Sequence, residues 1–294
     1  MAVQNVREEA LSEAVIRTDA LVKDFHDVWG RPTVRAAAGV SFDMRRGEVF
    51  GLLGPNGSGK TTTIKMILGL LTPTSGEVRL LGGAPSDPEV RRRTGYLPEE
   101  NILFRHQRSE EELENFGRFY GLSGDELASL VEALLKRVGI YPARSRYLRE
   151  FSKGMGRRHG LARALIGNPE LVILDEPTSG LDPIGVREVK DLIIELKKEG
   201  KSVLLSSHLL SDVEEVCDRI GIMYQGRMVE AGPIDELLKV PDRVVVSFET
   251  ADEALVRGML ERAHGVEYAL ARPRRKLEEL FLDVVNRSKR RGRK

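Results

Sequence analysis

The glycine-rich stretch 54–61 constrains the fold of this chain more than any other, because it follows an apolar run (49–53) and precedes a helical pattern (62–68). Glycines let backbone N–H groups turn inward around a triphosphate, and a helix beginning at Lys60 points its positive dipole end at the same oxygens. The sequence therefore predicts a phosphate-binding loop, with the outer phosphates at Lys60 and Mg²⁺ at the Thr61 hydroxyl. The predicted nucleotide contacts are Gly54, Pro55, Asn56, Gly57, Ser58, Gly59, Lys60, Thr61 and Thr62.

The composition leaves room for one large core, or one core plus a small appended domain, since the 294 residues are 41% apolar and 31% charged. A net charge of +1 gives no global sign of a nucleic-acid partner. The single cysteine, Cys217, excludes an intrachain disulfide and favours a reducing cytosol. The first 13 residues lack the apolar core of a secretory signal, and no apolar run approaches the roughly 20 residues that cross a bilayer. We therefore expect any membrane role to depend on a partner.

Two acidic residues follow a predicted buried strand, because the apolar run 171–174 ends in Asp175 and Glu176. Acids at the carboxyl edge of an α/β sheet cost free energy unless they are used. We expect Asp175 to hold Mg²⁺ directly or through water, and Glu176 to polarise the water that attacks a γ-phosphate. His208 follows the predicted strand 202–206, where an imidazole can donate to the γ-phosphate or to that water.

Two aromatic residues near the N-terminus are candidates for one role. Phe25 follows the strand pattern 20–22, and its ring offers a flat face on which an adenine can stack. Trp29 is the alternative for this contact. Either ring can equally well cover an edge of the sheet.

Strand and helix patterns alternate along the chain. The sequence predicts strands at 14–17, 20–22, 40–44, 49–53, 77–81 and 95–97, helical periodicity from 109 to about 165, strands at 171–174 and 202–206, helices at 185–198 and 209–217, and a hairpin at 219–230. Beyond residue 242, strands at 244–248 and 266–270 alternate with helices at 252–263 and 276–285. The tail 287–294 is strongly basic, which suits either a solvated end or attraction to anionic lipid or an acidic partner.

With these motifs in place, residues 14–238 resemble the ATP-binding subunit of an ABC transporter. Segment 151–155, Phe-Ser-Lys-Gly-Met, occupies the place of the family's signature, and 179–182, Ser-Gly-Leu-Asp, is similar to its D-loop. His208 is similar to its switch histidine. The resemblance implies an α/β P-loop NTPase with a RecA-like core sheet, an N-terminal antiparallel β subdomain and a helical insert.

The implied organisation has four parts. They are a flexible N-terminus at 1–14, an ATPase domain at 15–240 with its helical insert at about 100–165, a small α+β extension at 241–286 and the basic tail at 287–294.

The resemblance also implies partners and cofactors, namely ATP, Mg²⁺, a second cassette and an integral membrane permease. Two subunits pair head to tail in the family, so Ser152 and Gly154 of one subunit are expected to cap the γ-phosphate held by Lys60 of the other. Asp182 is expected at the dimer interface, and Glu176 with His208 is expected to catalyse hydrolysis. We expect a cytoplasmic protein, peripheral on the inner face of the membrane, and no nucleic-acid partner.

The chain departs from the family pattern at Glu99, where a neutral glutamine is usual after Tyr-Leu-Pro, and we expect its carboxylate to ligate the metal. Lys153 and Met155 replace the usual Gly and Gln of the signature. Such variants are similar to the branch that powers multidrug, antibiotic, polysaccharide or sodium exporters through a separate membrane chain. The prediction is an ATPase that energises export of an unknown substrate. The alternatives are a soluble ABC-type ATPase acting on ribosomes or nucleic acid, and a nucleotide-gated regulatory subunit with little hydrolysis.

Overall fold

Three sheets lie in the part of the chain that the computed structural model describes, which comprises residues 14–29, 31–239, 245–247, 269–271, 280 and 287. The strands are β1 (Ala14–His26), β2 (Pro32–Arg45), β3 (Val49–Leu53), β4 (Ser75–Leu80), β5 (Thr94–Leu97), β6 (Leu171–Asp175), β7 (Ser202–Ser207), β8 (Arg219–Tyr224), β9 (Arg227–Pro233), β10 (Val245–Ser247) and β11 (Ala269–Ala271). The helices are α1 (Lys60–Ile67), α2 (Pro88–Arg92), α3 (Ser109–Phe119), α4 (Gly124–Arg137), α5 (Lys153–Leu165), α6 (Pro183–Lys198), α7 (Leu210–Val216) and α8 (Ile234–Leu237), with 3₁₀ turns at Tyr141–Ala143 and Leu148–Glu150.

The central sheet has its described strands in the order β5-β6-β7-β3-β8-β9. Neighbours from β5 to β8 are parallel, and β9 closes one edge antiparallel to β8. Strands β3, β6 and β7 are buried along their whole length, and β3 and β6 have the near-continuous apolar sequences of strands that are covered on both faces. Because these strands are parallel, the loops that follow them meet at one edge of the sheet.

The second sheet is antiparallel, with the order β2-β1-β4. Strand β1 is one element where the sequence predicted two short strands, because Ala20 takes a left-handed φ of 46° and absorbs a shift in register. Its inner face packs with α1 against one face of the central sheet, in a core that includes Ile16, Phe50, Ile64 and Ile173. The antiparallel β subdomain predicted beside the core sheet is therefore confirmed.

Helices α3, α4 and α5 cover the other face of the central sheet and lie within the predicted helical insert. Leu113, Leu127 and Leu161, one from each helix, share a buried cluster with Leu174 of β6 and Val203 of β7. Each of these leucines lies on the buried face of its own helix.

Two local features of the chain bear on the sequence predictions. The hairpin of β8 and β9 is confirmed, and its turn residues Gln225 and Gly226 take left-handed φ angles of 49° and 75°, as a two-residue turn requires. Helix α2 was not predicted. Its signal is present, because Pro88 stands at the first position and the Asp87 carboxylate accepts a hydrogen bond from the Glu89 N–H at 2.9 Å.

The C-terminal region is described only in part. Strands β10 and β11 pair antiparallel where the sequence predicted strands, and Leu280 is buried against the cluster beneath α3 to α5. The predicted helix 252–263, most of the helix 276–285, the N-terminal residues 1–13 and the tail beyond Arg287 lie outside the described residues. Among the helices that are described, none combines the length and the apolar character needed to cross a membrane.

Candidate nucleotide-binding and hydrolysis site

The loop between β3 and α1 has the backbone geometry of an anion cradle. Gly57 and Gly59 take left-handed φ angles of 77° and 101°, which glycine adopts at little cost. A Cβ at Gly59 would collide with the carbonyl oxygen of Ala36. Gly59 is also the N-cap of α1 and offers no side chain to the first N–H groups of the helix. Those N–H groups are therefore available to an anion.

This loop lines an open cleft of about 680 Å³, a volume typical of small-molecule sites. Its lining contains the loop residues Asn56, Gly57, Ser58, Gly59, Lys60, Thr61 and Thr62. Arg35, Glu99, Glu176 and Gln225 line it from other elements. The Ser58 hydroxyl is buried here without a hydrogen-bond partner among the described residues, which favours a polar ligand at this point.

Lys60 lies beside Glu176 at the floor of this cleft. Its ammonium is buried, donates to the Gly54 carbonyl oxygen at 2.7 Å and lies 3.3 Å from Oε1 of Glu176. The structure therefore brings the lysine predicted for the outer phosphates next to the glutamate predicted for the attacking water.

Asp175 ends β6 and is fully buried. Its Oδ1 accepts a hydrogen bond from the Ser206 hydroxyl at 2.5 Å, whereas Oδ2 has no partner in the described part of the chain. Burial and the charge of Asp175 raise the pKa of Tyr96, whose hydroxyl is likewise buried and unpaired among these residues. A buried carboxylate with one free oxygen suits a cation or an ordered water. Ser206 was not predicted, although a serine inside an apolar strand was a usable signal.

Glu176 has an unusual backbone conformation, with a left-handed φ of 52° that strains a non-glycine residue. Its N–H donates to the Ser206 hydroxyl at 2.9 Å. Its Oε2 lies 2.7 Å from Nδ1 of His208, whose side chain is 42% exposed. The predicted catalytic pair is thus in direct contact at the carboxyl edge of the sheet.

Arg157, in the second turn of α5, is a site residue that the sequence did not reveal. Its guanidinium is buried and donates to main-chain carbonyl oxygens at the ends of both β5 and β6. Burial lowers the pKa of Arg157, and the charges of Asp175, Glu176 and Glu99 oppose that shift. No local signal distinguishes it from its neighbour Arg158, because its role depends on strands distant in the sequence.

Ser152 and Asp182 each cap a helix. The Ser152 hydroxyl accepts from the Met155 N–H at 3.2 Å as α5 begins, and the Asp182 carboxylate accepts from the Gly185 N–H at 2.7 Å as α6 begins. Ser152 lines a second cleft, of about 630 Å³. Among the described residues, the lining of the phosphate-loop cleft includes neither these two nor Gly154. Their role across a dimer stays a prediction.

The remaining candidates occupy the rim of the site. Glu99 is exposed and lines both clefts. Phe25 is 39% exposed and has the Lys23 ammonium 5.5 Å from its ring centroid, and Trp29 is 82% exposed. Within the described residues, the phosphate-loop cleft is lined by Val34, the β2 neighbour of Phe25, and by neither aromatic ring. Adenine stacking therefore stays a prediction for both rings.

These features together define a class of protein. A glycine-rich loop before a helix, a buried aspartate with a free oxygen and a Glu–His pair all meet at the carboxyl edge of a parallel sheet. That arrangement is typical of P-loop enzymes that hydrolyse nucleoside triphosphates.

Known proteins place the chain within this class. The family model described as "ABC transporter" matches residues 37–179. An uncharacterized ABC transporter ATP-binding protein of Nostoc sp. is 38% identical over 250 residues, which cover 84% of this chain and 75% of the relative. The bacitracin transport ATP-binding protein BcrA of Bacillus licheniformis is 37% identical over 217 residues, 73% of this chain and 70% of the relative.

A solved structure of a dimeric ATP-binding cassette, in a post-hydrolysis state with ADP and Pi, has a TM-score of 0.69 and 25% identity. The match covers 74% of this chain and 98% of the chain in the solved structure. The chain therefore belongs to the family of ABC transporter ATP-binding proteins, as its motifs predicted, and it is an ATPase that energises transport.

Proposed function

We propose that this chain hydrolyses ATP with Mg²⁺ to drive export through a separate integral membrane subunit, and that it lies on the inner face of the membrane. The observation that supports this most directly is the position of Glu176. Its two carboxylate oxygens lie 3.3 Å from the Lys60 ammonium and 2.7 Å from the His208 ring, beside the phosphate loop.

The proposed chemistry follows from this contact. Lys60 donates charged hydrogen bonds to the γ-phosphate oxygens, where negative charge is held during transfer. Glu176 takes a proton from the attacking water while the water oxygen bonds to the γ-phosphorus. In the same step, the bond between the γ-phosphorus and the bridging oxygen of ADP breaks. His208 holds the carboxylate in place and can donate to the γ-phosphate. Inorganic phosphate and ADP are the products.

The residues present fit a Mg²⁺ ion. Thr61, Glu99 and the unpaired Oδ2 of Asp175 are the hard oxygen donors that Mg²⁺ prefers. Among the described residues, no three His, Cys, Asp or Glu side chains form a metal site by themselves, so phosphate oxygens and water would complete the coordination. When bound, the ion supplies positive charge that neutralises the phosphates.

The proposed active form is a head-to-tail homodimer or paired cassette. Ser152 and Gly154 begin α5, where a hydroxyl and main-chain N–H groups can bind the γ-phosphate of the other subunit. Asp182 would lie at the same interface. ATP then closes the dimer because it contacts both subunits, and loss of the γ-phosphate reopens it.

The proposed membrane partner is a separate permease that contacts the segment 99–122. Ile102 and Phe119 in this segment are 79% and 76% exposed, and Phe104 is 47% exposed, as expected for a surface that another protein covers. Similarity to BcrA, a protein named for bacitracin transport, supports the export branch. We expect no nucleic-acid partner.

The first experiment measures phosphate release by Glu176→Gln. We expect turnover to fall by about 100-fold or more, because the amide cannot accept the proton, while ATP still binds and closed dimer accumulates. Glu170→Gln is the matched control, because Glu170 precedes the amino end of β6 whereas Glu176 follows its carboxyl end. Hydrolysis at the parental rate in Glu176→Gln would contradict the assigned base, and a parent without phosphate release would favour the regulatory alternative.

The partner is tested by purifying tagged Glu176→Gln from membranes in mild detergent with ATP and identifying the bound chains by mass. We expect a protein with several apolar spans of about 20 residues. Recovery of ribosomal or nucleic-acid components in its place would favour the soluble alternative.

A further inference from the structure

Each N–H donor of the Arg157 guanidinium has a main-chain carbonyl oxygen as its acceptor. Its Nη1 donates to the carbonyl oxygens of Pro98 at 2.5 Å and Glu99 at 2.9 Å. Its Nη2 donates to those of Asp175 and, at 2.6 Å, Glu176, and its Nε donates to that of Pro177 at 3.3 Å. A guanidinium has five N–H donors, so five donors meet five carbonyl oxygens. Only arginine can make this set of contacts, since lysine has three donors and glutamine two.

The acceptors belong to the two segments that hold the metal and catalytic carboxylates. Pro98 and Glu99 follow β5, and residues 175–177 end β6 and continue beyond it. Glu176 is the residue with the strained φ of 52°. Its carbonyl oxygen accepts a hydrogen bond from Arg157, and its N–H donates to the Ser206 hydroxyl. A strained conformation persists only where the surroundings fix it, and here Arg157 and Ser206 fix both sides of the residue.

Arg157 also stands on the helix that begins with the signature. Ser152 is the N-cap of α5, and Arg157 lies five residues later on the same rigid helix. One end of this helix therefore faces the second cleft, while its next turn holds the backbone beneath the phosphate-loop carboxylates of the same chain.

We propose that Arg157 is a positioning residue that connects the two ATP sites of the dimer. A phosphate of the partner subunit bound at Ser152 shifts or fixes α5, and Arg157 transmits this to Glu176 and Glu99 in the chain's own site. This inference rests on the proposed head-to-tail dimer. Its consequence is that the two sites respond to ATP together, with a coupling that depends on this guanidinium.

The experiment compares full-length parent, Arg157→Lys and Arg157→Gln, with Arg163→Lys as the matched control. Arg163 lies on the same helix and also holds a carbonyl oxygen, that of Ile102 at 2.9 Å, but its contacts are with Asn101, Ile102 and Glu112. Phosphate release is measured against ATP concentration, ATP binding by equilibrium dialysis, and hydrogen exchange on the segment 174–181 without nucleotide.

For the parent and Arg163→Lys we expect a Hill coefficient near 2, the limit for two sites. For Arg157→Lys and Arg157→Gln we expect a Hill coefficient near 1, turnover lower by about 10-fold and ATP affinity within about threefold of the parent. Exchange in the segment 174–181 should rise in the Arg157 variants and not in the control. A merely structural role would lower stability without changing the Hill coefficient.

Both results are required, so an unchanged Hill coefficient or unchanged exchange in Arg157→Lys would overturn the inference. A parent with a Hill coefficient of 1 would overturn it as well. If Arg157→Gln fails to fold, Arg157→Lys decides, because it keeps the charge and up to three of the bonds. If the parent does not hydrolyse ATP and the Glu176→Gln variant does not dimerise, the proposed function itself is refuted.

Discussion

The described part of the chain contains two histidine–glutamate pairs, which differ in how far solvent reaches the histidine. His208 meets Glu176 at 2.7 Å beside the phosphate loop, and its side chain is 42% exposed. His159 meets Glu112 between α5 and α3, and both side chains are fully buried. The residue types are the same, so the difference in access to solvent and ligand must decide what each pair does.

The buried pair is a closed network. His159 Nδ1 lies 3.0 Å from the Ser109 hydroxyl, and the other Glu112 oxygen accepts from Arg163 and from the Phe104 N–H, each at 3.3 Å. A Ser–His–Glu arrangement resembles the triad of a hydrolase, but a triad needs a substrate path and an exposed nucleophile. Here Ser109 is fully buried, so this network holds α3 and α5 together.

The largest expected effect comes from breaking the buried pair. We expect His159→Ala to lower the free energy of unfolding by about 3–5 kcal/mol, because Glu112 loses a partner inside the core. Urea unfolding measures this loss. Turnover per folded molecule should stay close to that of the parent. A stable but inactive His159→Ala protein would contradict the structural role given to the His159–Glu112 pair.

The reverse result is expected for His208→Ala. Turnover should fall by about 100-fold, because His208 positions the catalytic carboxylate. The free energy of unfolding should change by less than about 1 kcal/mol, since the histidine is partly exposed. The two alanine variants are controls for each other, measured by phosphate release and urea unfolding. Equal losses of unfolding free energy in the two variants would contradict the structural role of His159 and the catalytic role of His208.

The sequence predicted the pair at the phosphate-loop cleft and missed the pair between α3 and α5, for a physical reason. Glu176 and His208 each follow a predicted strand, and parallel strands bring their carboxyl ends to one edge, so the strand pattern together with the resemblance to the family indicated both residues. His159 and Glu112 lie on helices 47 residues apart, and their meeting depends on how α3 packs on α5.

The same limit applies to other elements of the fold and site. The phosphate loop was predicted because glycine spacing and strand–helix order are local. Arg157 and Ser206 act through contacts that only the folded sheet creates. Ser152 and Asp182 were predicted by resemblance, and the structure adds that both are helix N-caps.

The stability contributed by the buried pair should also depend on pH. Burial pushes the pKa of Glu112 upward, but the hydrogen bond from His159 and the charges of His159 and Arg163 outweigh it, so the pKa lies below the ordinary 4.5. Because the folded pKa is lowered, the stability it contributes is present above pH 4.5 and is lost as pH falls through the folded value.

The measurement is urea unfolding of the parent and Glu112→Gln at neutral pH and at about pH 3. The parent's advantage should be largest at neutral pH and should shrink in acid. Carboxylates common to both proteins cancel in the difference. An advantage that grows as pH falls would show that Glu112 is protonated in the fold.

Glu170 is a half-buried charged residue that lines neither of the two clefts, and its replacement should have the weakest consequence. Hydrogen bonds from Arg93 and then Arg46 lower its pKa to about 2, but its side chain is 40% exposed, so solvent screens the pairs. Glu170→Gln should lower the free energy of unfolding by less than about 1 kcal/mol, and by less still in high salt. The stability that Glu170 contributes should be present above the ordinary carboxyl pKa and should be lost as pH falls toward 2. Urea unfolding at two salt concentrations checks this.

Glu170→Gln also tests whether a charged residue outside the cleft affects ATP hydrolysis. Glu170 precedes one end of β6 and Glu176 follows the other, so a signal along the strand would connect them. We expect unchanged phosphate release, because β6 is held on both sides by β5 and β7 and its ends are fixed independently. A drop in turnover without a loss of stability would mean that the amino end of the strand helps to set the catalytic end, and charge pairs far from the cleft would then belong to the site.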